Sequence, residues 1–314
     1  MAVLPAAYTR DVARVVCKDE AALRPGVDQL CQLLGVNTRN LSRFARGSRP
    51  VYAAGDLVLK LFPPTSLAKC RLETDVLAAV QGKLPTPTPL VHAAGEHDGW
   101  GYVLMSRLPG VRLDIAWNQI PNRERYHLAD HLGETIAAMH RVSPPPVENW
   151  WPDDWTAFVA ARRNRYAARH RELCLPAVWA DQLPGFLDDV ALAPGPPVLL
   201  HTEIRRPHLL AVEAHGGAWR LSGLVDFDNA IRGTREYEFV AVGIHMSKGD
   251  SRFLRRVLTA YGYTRGQLDR DFRQRLLAWA ILHRHSNLTT WLRRLPGSDR
   301  PILASLADRW FTTE

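Results

Sequence analysis

The spacing of apolar residues changes character along the chain. Residues 20 to 35, "EAALRPGVDQLCQLLG", place apolar side chains three and four apart and stop at Gly35, which predicts a short helix. "LSRFARGSRPVYAAG" and "DLVLKLF" are short strand-like runs around a loop holding Gly47, Ser48 and Arg49, with Gly55-Asp56 as a turn. Residues 66 to 83, "SLAKCRLETDVLAAVQGK", predict an amphipathic helix. "LPTPTPLVHAAGEHDGWGYVLMSRLPG" reads as proline-punctuated strands with a hairpin turn near His97-Asp98-Gly99. Strand, strand, helix, strands is the order of a small antiparallel α+β lobe. From about residue 112 the helical period takes over. "ERYHLADHLGETIAAMHRV" (124 to 142) is long and periodic, and a proline-rich break, "SPPPVENWWPDDW", follows it. A basic amphipathic helix, "TAFVAARRNRYAARHRELC", and "LPGFLDDVALAP" come next. After short β-type runs, "RFLRRVLTAYGY", "RDFRQRLLAWAILHRHSNLTTWLRRL" and "PILASLADRWF" return to helix. The expected fold class is α+β with two lobes, residues 1–108 and 109–314.

A chain of 314 residues with 46% hydrophobic and 23% charged residues can bury a core of that size. Cys17, Cys31, Cys70 and Cys174 are scattered without a CxxC pair, so neither a zinc knuckle nor a disulfide framework is expected. Reduced thiols, an N-terminus without a basic leader and the lack of a long apolar run point to a cytoplasmic protein with no membrane partner. The net charge of +8 raises the question of nucleic acid. Its arginines are spread along the chain, whereas a nucleic-acid binder concentrates charge in a patch or arm, so no nucleic-acid partner is expected. Lysine is limited to Lys18, Lys60, Lys69, Lys83 and Lys248, which makes Lys60, inside an apolar strand, conspicuous.

An ammonium within "LVLKLFPP" is costly unless it meets a negative partner. Two readings stand side by side: an edge-strand lysine whose head reaches water, and a lysine aimed at phosphate oxygens and held by Glu73 on the next helix. The segment "LLHTEIRRPHLL" (199 to 210) sets His201, Glu203 and His208 between leucine runs, and Asp226 emerges sixteen residues later in "LVDFDNA". His201 is most simply a buried imidazole bonded to backbone. One carboxylate on a loop, a second metal-type ligand five residues on and a further carboxylate on a neighbouring strand form a kit for phosphoryl transfer. Taken singly, each is also explained as a turn residue facing water.

"LLHTEIRRPHLL" followed by "LSGLVDFDNAIRGTREYEFVAVG" resembles the catalytic loop and metal segment of the aminoglycoside phosphotransferase family, a branch of the protein-kinase-like fold. The resemblance extends through "VLKLF", Glu73, "YVLMSRLPG" and "LGETIAAMH", covers most of residues 40 to 290, and is nearest in "VLKLF" and "VLMSRLPG" to hygromycin B kinases. It implies a bilobal fold, with a nucleotide-binding N-terminal lobe and a helical C-terminal lobe carrying the catalytic loop and acceptor site. By resemblance, Lys60 pairs with the α- and β-phosphates of ATP or GTP and Glu73 braces it. Gly47 and Ser48 lie over the phosphates, and Met105, Ser106, Arg107 and Leu108 form the hinge that meets the base. Glu203, with His201 before it, stands in the place of the catalytic aspartate, His208 in that of a metal-binding asparagine, and Asp226 in that of the principal metal aspartate. Asp228 is a further metal carboxylate or its support, and Glu238 replaces an aspartate that ties down the catalytic loop.

The family pattern His-Gly-Asp, then Asn five residues on, is here His201-Thr202-Glu203 and His208. Glutamate adds a methylene to the base. An imidazole ligand favours Mn2+ over Mg2+ and binds metal only when neutral. For the acceptor, Trp151, Asp154 and Trp155, with neighbours Trp150 and Asp153, offer aromatic faces beside carboxylates. His283 and Asn287 are spaced to share one helix face with each other. Core packing explains the tryptophans equally well. A protein of +8 gives polycations no long-range attraction, which tilts the acceptor toward a nucleoside or weakly basic aminocyclitol. The expectation is therefore a small-molecule O-phosphotransferase acting on an antibiotic or related hydroxylated metabolite, as monomer or homodimer. The alternatives are a kinase of choline-like, homoserine-like or sugar acceptors, and a nucleotide-binding pseudokinase without turnover.

Overall fold

The computed structural model describes residues 3–146, 154–192, 195–298 and 300–314. Two helices open the chain, α1 (Arg10–Val16) and α2 (Glu20–Leu33), their first turns capped by the side chains of Thr9 and Asp19. Five strands follow: β1 (Ser42–Arg43), β2 (Val51–Ala54), β3 (Leu57–Phe62), β4 (Val91–His97) and β5 (Trp100–Ser106), with α3 (Leu67–Val80) between β3 and β4. They form one antiparallel sheet in the order β1-β2-β3-β5-β4. The expected hairpin turn is present between β4 and β5, where Asp98 and Gly99 both take positive φ, 50° and 79°.

Alternation along β3 decides what each face of this sheet does. Leu59 and Leu61 pack with Leu23, Val27 and Leu30 of α2. Phe62 faces the other way and joins Leu72, Val76 and Val80 of α3 in a core that continues through the rest of the molecule. Lys60 shares the face of Phe62, opposite Val51 and Val103 in the neighbouring strands, so it is carried inward and not to an edge.

Beyond β5 the chain turns helical. It runs through β6 (Val111–Arg112), α4 (Leu113–Ala116), α5 (Asn122–Arg141), α6 (Trp155–Glu172), α7 (Ala177–Ala180) and α8 (Leu183–Asp189). Short strands β7 (Val198–Leu200), β8 (Leu209–Glu213), β9 (Trp219–Leu224) and β10 (Ile231–Gly233) follow. β7 pairs with β10, and β8 lies between β6 and β9. The chain closes with α9 (Glu238–Ala241), a π-helical segment at Val242–Ser247, α10 (Ser251–Tyr261), α11 (Arg270–Leu282), α12 (Leu288–Arg294) and α13 (Leu303–Trp310). This is the α+β arrangement of an antiparallel sheet followed by a helical region.

One expected helix is two. The apolar period suggests continuity from Arg270 to Leu295, but His283 leaves helical geometry with ψ 140°, and the Asn287 side chain accepts the Thr290 N–H at 2.9 Å and begins α12. His283 and Asn287 therefore do not share a helix face. Among the described residues no helix is long and apolar enough to cross a membrane, and the four cysteines are free.

The helical region depends on close approach of α5 and α10. A Cβ at Gly133 would sit 2.8 Å from the Ala260 Cβ and 3.0 Å from the Tyr261 backbone nitrogen. In an exposed helix Gly→Ala stabilises by about 1 kcal/mol, whereas forcing a methyl into a packed helix contact costs about 1–3 kcal/mol. The second effect wins here because the obstacle includes backbone. Gly133→Ala is expected to lower the thermal midpoint by several degrees, measured by calorimetry; a rise would mean that α10 moves aside freely.

Candidate active site

Between β7 and β8 the chain makes a tight excursion through residues 201–208, and two unusual backbone conformations frame it. Thr202 has φ 67°, and Asp226, after β9, has φ 73°. Both are strained for non-glycine residues, Thr202 more so because it is β-branched. What holds the first is visible. The fully buried Glu238 carboxylate accepts the backbone N–H of His201 at 2.6 Å and of Thr202 at 2.9 Å. The Thr202 hydroxyl donates to the Asn229 carbonyl at 2.9 Å, and Arg284 also donates to that carbonyl. The His201 ring is spent on backbone: Nδ1 accepts the Glu203 N–H at 3.3 Å, which leaves Nε2 as the donor to the Val225 carbonyl at 3.1 Å.

Lys60 is buried, and its Nζ lies 2.7 Å from Glu73 Oε2, 2.6 Å from Asp226 Oδ1 and 3.6 Å from Asp228 Oδ2. Burial opposes its charge, but Asp226, Glu73 and Asp228 outweigh burial and raise its pKa. Burial likewise pushes the Asp226 carboxyl up, yet Lys60 and His208 hold it well below the usual range. For Glu73 burial dominates, and Lys60 offsets it only in part, so its pKa is raised. Glu73 Oε1 also accepts the Phe227 N–H at 3.2 Å. The helix α3, the strand β3 and the segment after β9 are thus pinned at one lysine.

His208 completes the group. Its Nδ1 lies 2.9 Å from the Glu203 carbonyl and can only donate to it, so Nε2 carries a lone pair; Nε2 lies 3.1 Å from Asp226 Oδ2 and receives hydrogen bonds from Arg205. Burial pushes the His208 pKa down, more than the nearby Asp226 carboxylate raises it, and Arg205 adds to the fall. A neutral imidazole lone pair beside a carboxylate is a pair of acceptors that needs a cation, and Arg205 provides one here. Among the described residues no cluster of three or more histidine, cysteine or acidic side chains is arranged to hold a metal.

The structure thus brings Lys60, Glu73, Glu203, His208, Asp226 and Asp228 into one connected network, together with four residues that sequence reasoning did not assign. Asn229 donates through Nδ2 to Glu203 Oε2 at 2.6 Å, and its Oδ1 receives Lys69 Nζ at 2.6 Å. Arg205 lies 3.2 Å from Glu203 Oε1. Asp228, nearly fully buried, is flanked by Arg49 at 3.5 Å and Lys69 at 3.6 Å as well as by Lys60. The scarcity of lysine that singles out Lys60 also applies to Lys69, and Asn229 directly follows Asp228; both were signals in plain view.

Other expected positions are more dispersed. Gly47 and Ser48 lie exposed in the β1–β2 loop, Gly47 with φ 140°, just before Arg49. Met105 and Ser106 end β5. The Ser106 and Arg107 N–H groups are donated to the Leu90 and Asp56 carbonyls at 2.8 and 2.7 Å. Leu108 packs over Gly223, where a Cβ would meet its Cδ1 at 2.8 Å. Asp154 caps α6 through the Thr156 N–H at 2.8 Å and is exposed. Trp155 stacks on Phe158 and meets Tyr237 and Trp279 edge-on or tilted, as aromatic packing. Tyr237 in turn stacks on His283 at 4.6 Å. Trp150, Trp151 and Asp153 lie outside the described residues.

Known proteins share this fold. In the solved structures, the chain is similar to wild-type aminoglycoside 2'-phosphotransferase-IIIa in complex with GDP, at 16% identity and TM-score 0.68, over 90% of this chain and 97% of that one. It is also similar to the apoenzyme of macrolide 2'-phosphotransferase MphH from Brachybacterium faecium, at 19% identity and TM-score 0.61, over 87% and 98% of the two chains. A third is APH(2")-IIa in a ternary complex with streptomycin and ATP, at 15% identity and TM-score 0.58, over 81% and 89%. At these identities the likeness is one of fold. The family model described as "Phosphotransferase enzyme family" (APH) matches residues 40–294, and the chain belongs to that family.

Proposed function

We propose that this phosphotransferase moves the terminal phosphoryl group of ATP or GTP to a hydroxyl of a small acceptor, with Glu203 as the base. The observation that carries the proposal is the single network in which the backbone carbonyl of Glu203 accepts from His208, whose other ring nitrogen lies beside the lysine-bound carboxylate Asp226, while the Glu203 carboxylate is held by Asn229 and Arg205. Phosphoryl transfer needs these parts together, because its catalysis is positioning and charge stabilisation.

Lys60 faces the nucleotide's α- and β-phosphates and Glu73 fixes its direction. Arg49, after Gly47 and Ser48, adds a second cation at the same place. The base of the nucleotide lies at Met105–Leu108. Two of the N–H groups there are already used within the chain, so the side chain of Leu108 and the remaining backbone groups form that contact. Mg2+ or Mn2+ fits the donor set: Asp226 and the neutral His208 nitrogen would hold it, the nucleotide supplying further oxygens, with Asp228 close by. When bound, such an ion neutralises phosphate charge.

The acceptor oxygen attacks phosphorus in line, its proton passes to Glu203, and the bond from phosphorus to the nucleoside diphosphate oxygen breaks. Glutamate is longer than aspartate by one methylene, and Asn229 accounts for that length. It grips Glu203 Oε2 while Lys69 holds the other end of the amide. His201 touches no reacting group; with both ring nitrogens on backbone it positions the loop. The aminoglycoside and macrolide phosphotransferases of the same fold favour an antibiotic-like acceptor. A pseudokinase or a kinase of simple metabolites is the competing outcome.

The test is acceptor-dependent consumption of ATP and GTP with Mg2+ and with Mn2+. Glu203→Ala is expected to lower kcat by about 10²–10⁴-fold with nucleotide binding retained; turnover unchanged in that variant would remove Glu203 from the role. Asn229→Ala is expected to lower kcat by about 10–100-fold with the KM for nucleotide within about twofold, since its amide nitrogen orients the base while Lys69, the partner of its amide oxygen, keeps Asp228. His208→Asn exchanges a nitrogen ligand for an amide oxygen and is expected to shift metal preference from Mn2+ toward Mg2+. An unchanged Mn2+/Mg2+ ratio of kcat/KM would place His208 outside the metal shell.

A further inference from the structure

Part of the basic face of α6 is spent on backbone rather than on solvent. Arg162 donates from Nε to the Leu282 carbonyl and from Nη2 to the His283 carbonyl, both at 3.0 Å. Arg169 Nε donates to the Ser286 carbonyl at 3.0 Å. The buried His170 ring lies 3.2 Å from the Ile281 carbonyl, to which its Nε2 can only donate. The last carbonyls of a helix have no partner within it, and cations at that end also meet the negative end of its dipole. Three side chains of one helix thus hold the end of α11 and the turn that leads to α12.

That turn presents Arg284. Its backbone N–H donates to the Tyr237 hydroxyl at 2.9 Å, and Tyr237 directly precedes Glu238, the carboxylate that accepts the His201 and Thr202 N–H groups. Its side-chain Nη2 donates to the Asn229 carbonyl and lies 3.4 Å from the Thr202 hydroxyl, which itself donates to the same carbonyl. Arg284 therefore closes a triangle on two residues that direct Glu203. Thr202, with its positive φ, is the residue before the base, and Asn229 holds Glu203 Oε2 at 2.6 Å. Burial lowers the Arg284 pKa, and Tyr237, Glu203 and Asp228 offset part of that fall, so the guanidinium stands within electrostatic reach of the base.

Building on the phosphotransfer proposed above, we infer that Arg284 is a positioning residue for Glu203, and that Arg162 on α6 acts on the base through it. The relay bypasses the lysine cluster, in which Lys60, Glu73 and Asp226 are bonded to one another. A shift of Arg284 moves the Asn229 backbone, and with it the amide that grips Glu203. Misplacing a reacting group by about 1 Å can cost about 10²-fold. Losing one brace among several costs less, because Arg205 and Asn229 still touch the carboxylate. The basic character of α6 thereby gains a use in the reaction, although the helix supplies no group to it directly.

The experiment measures ATP and GTP turnover by the full chain, with Mg2+ and with Mn2+, using water, kanamycin, streptomycin and a macrolide as acceptors. Arg284→Met keeps the length of the side chain and removes its donors. It is expected to lower kcat by about 10-fold with the KM for nucleotide within about twofold, and Arg284→Lys, which restores a charged donor, should recover part of the loss. In an Asn229→Ala background the same Arg284→Met change is expected to lower kcat by less than about threefold, because the amide it positions is gone. Arg162→Met leaves the turn sequence intact. It is expected to lower kcat by about 3- to 5-fold alone and, like Arg284→Met, to lose most of that effect in the Asn229→Ala background, so it carries the test where Arg284→Met fails to fold by circular dichroism. Unchanged kcat in the folded variants, an effect of equal size in both backgrounds, or a KM for nucleotide that rises as kcat falls overturns the inference and leaves Arg284 a packing residue. A wild-type chain that binds nucleotide but transfers to none of these acceptors overturns the phosphotransfer reading itself, and the relay with it.

Discussion

Everything at the candidate site depends on one buried lysine. Lys60 is drawn inward because strand alternation puts it on the face of Phe62, and at that depth its charge is tolerable only with Glu73 and Asp226 against it. Such a cluster contributes little net stability over an apolar one, but breaking it by removing one partner costs about 3–5 kcal/mol. Its consequence is positional. Strand β3, helix α3 and the segment after β9 must meet at a fixed distance, and they do so at the place where the proposed chemistry needs cations and carboxylates together. The charge is also balanced without ligand: Lys60, Arg49, Lys69 and Arg205 all lie on carboxylates or on His208. Nucleotide phosphates and a divalent ion would exchange partners within this set rather than enter an empty one.

The loop that carries Glu203 is held by a second, independent device. A threonine with φ 67° would relax if free, at a strain of about 1–3 kcal/mol. Two short hydrogen bonds to Glu238, with the hydroxyl bond to the Asn229 carbonyl, offset a cost of that size. The same Asn229 uses its side chain on Glu203. Backbone strain, loop anchoring and carboxylate orientation are thus coupled through one residue.

Much of this was readable from the residues. Strand alternation and helix periods locate β2, β3, α3 and α5 within a few positions, since each has a face that only one layer can bury. Glu73 and Asp226 are marked by their places relative to apolar strands, and Glu238 by the resemblance to the family. What the sequence hides is contact between distant segments that no period encodes. Lys69 meets Asn229 across 160 positions, and Arg284 reaches the Asn229 carbonyl only because the chain breaks after Leu282. That break has no proline or glycine to announce it; the capping preference of Asn287 was the one local sign. Of the aromatic-acidic acceptor surface expected around Asp154 and Trp155, only these two positions lie among the described residues. Asp154 is used as a helix cap and Trp155 in packing, roles that compete with ligand binding for the same residue types.

The most direct measurement of the central arrangement is equilibrium binding of ATP and GTP with Mn2+, with Mg2+ and with chelator, to the wild-type chain and to Lys60→Met. If the lysine-carboxylate cluster is the phosphate and metal centre, a divalent ion strengthens nucleotide binding by tenfold or more, and Lys60→Met loses most of that affinity while remaining folded by circular dichroism. Equal binding in chelator, undiminished in a folded Lys60→Met, would show that nucleotide binds elsewhere and that the cluster is only a structural pin.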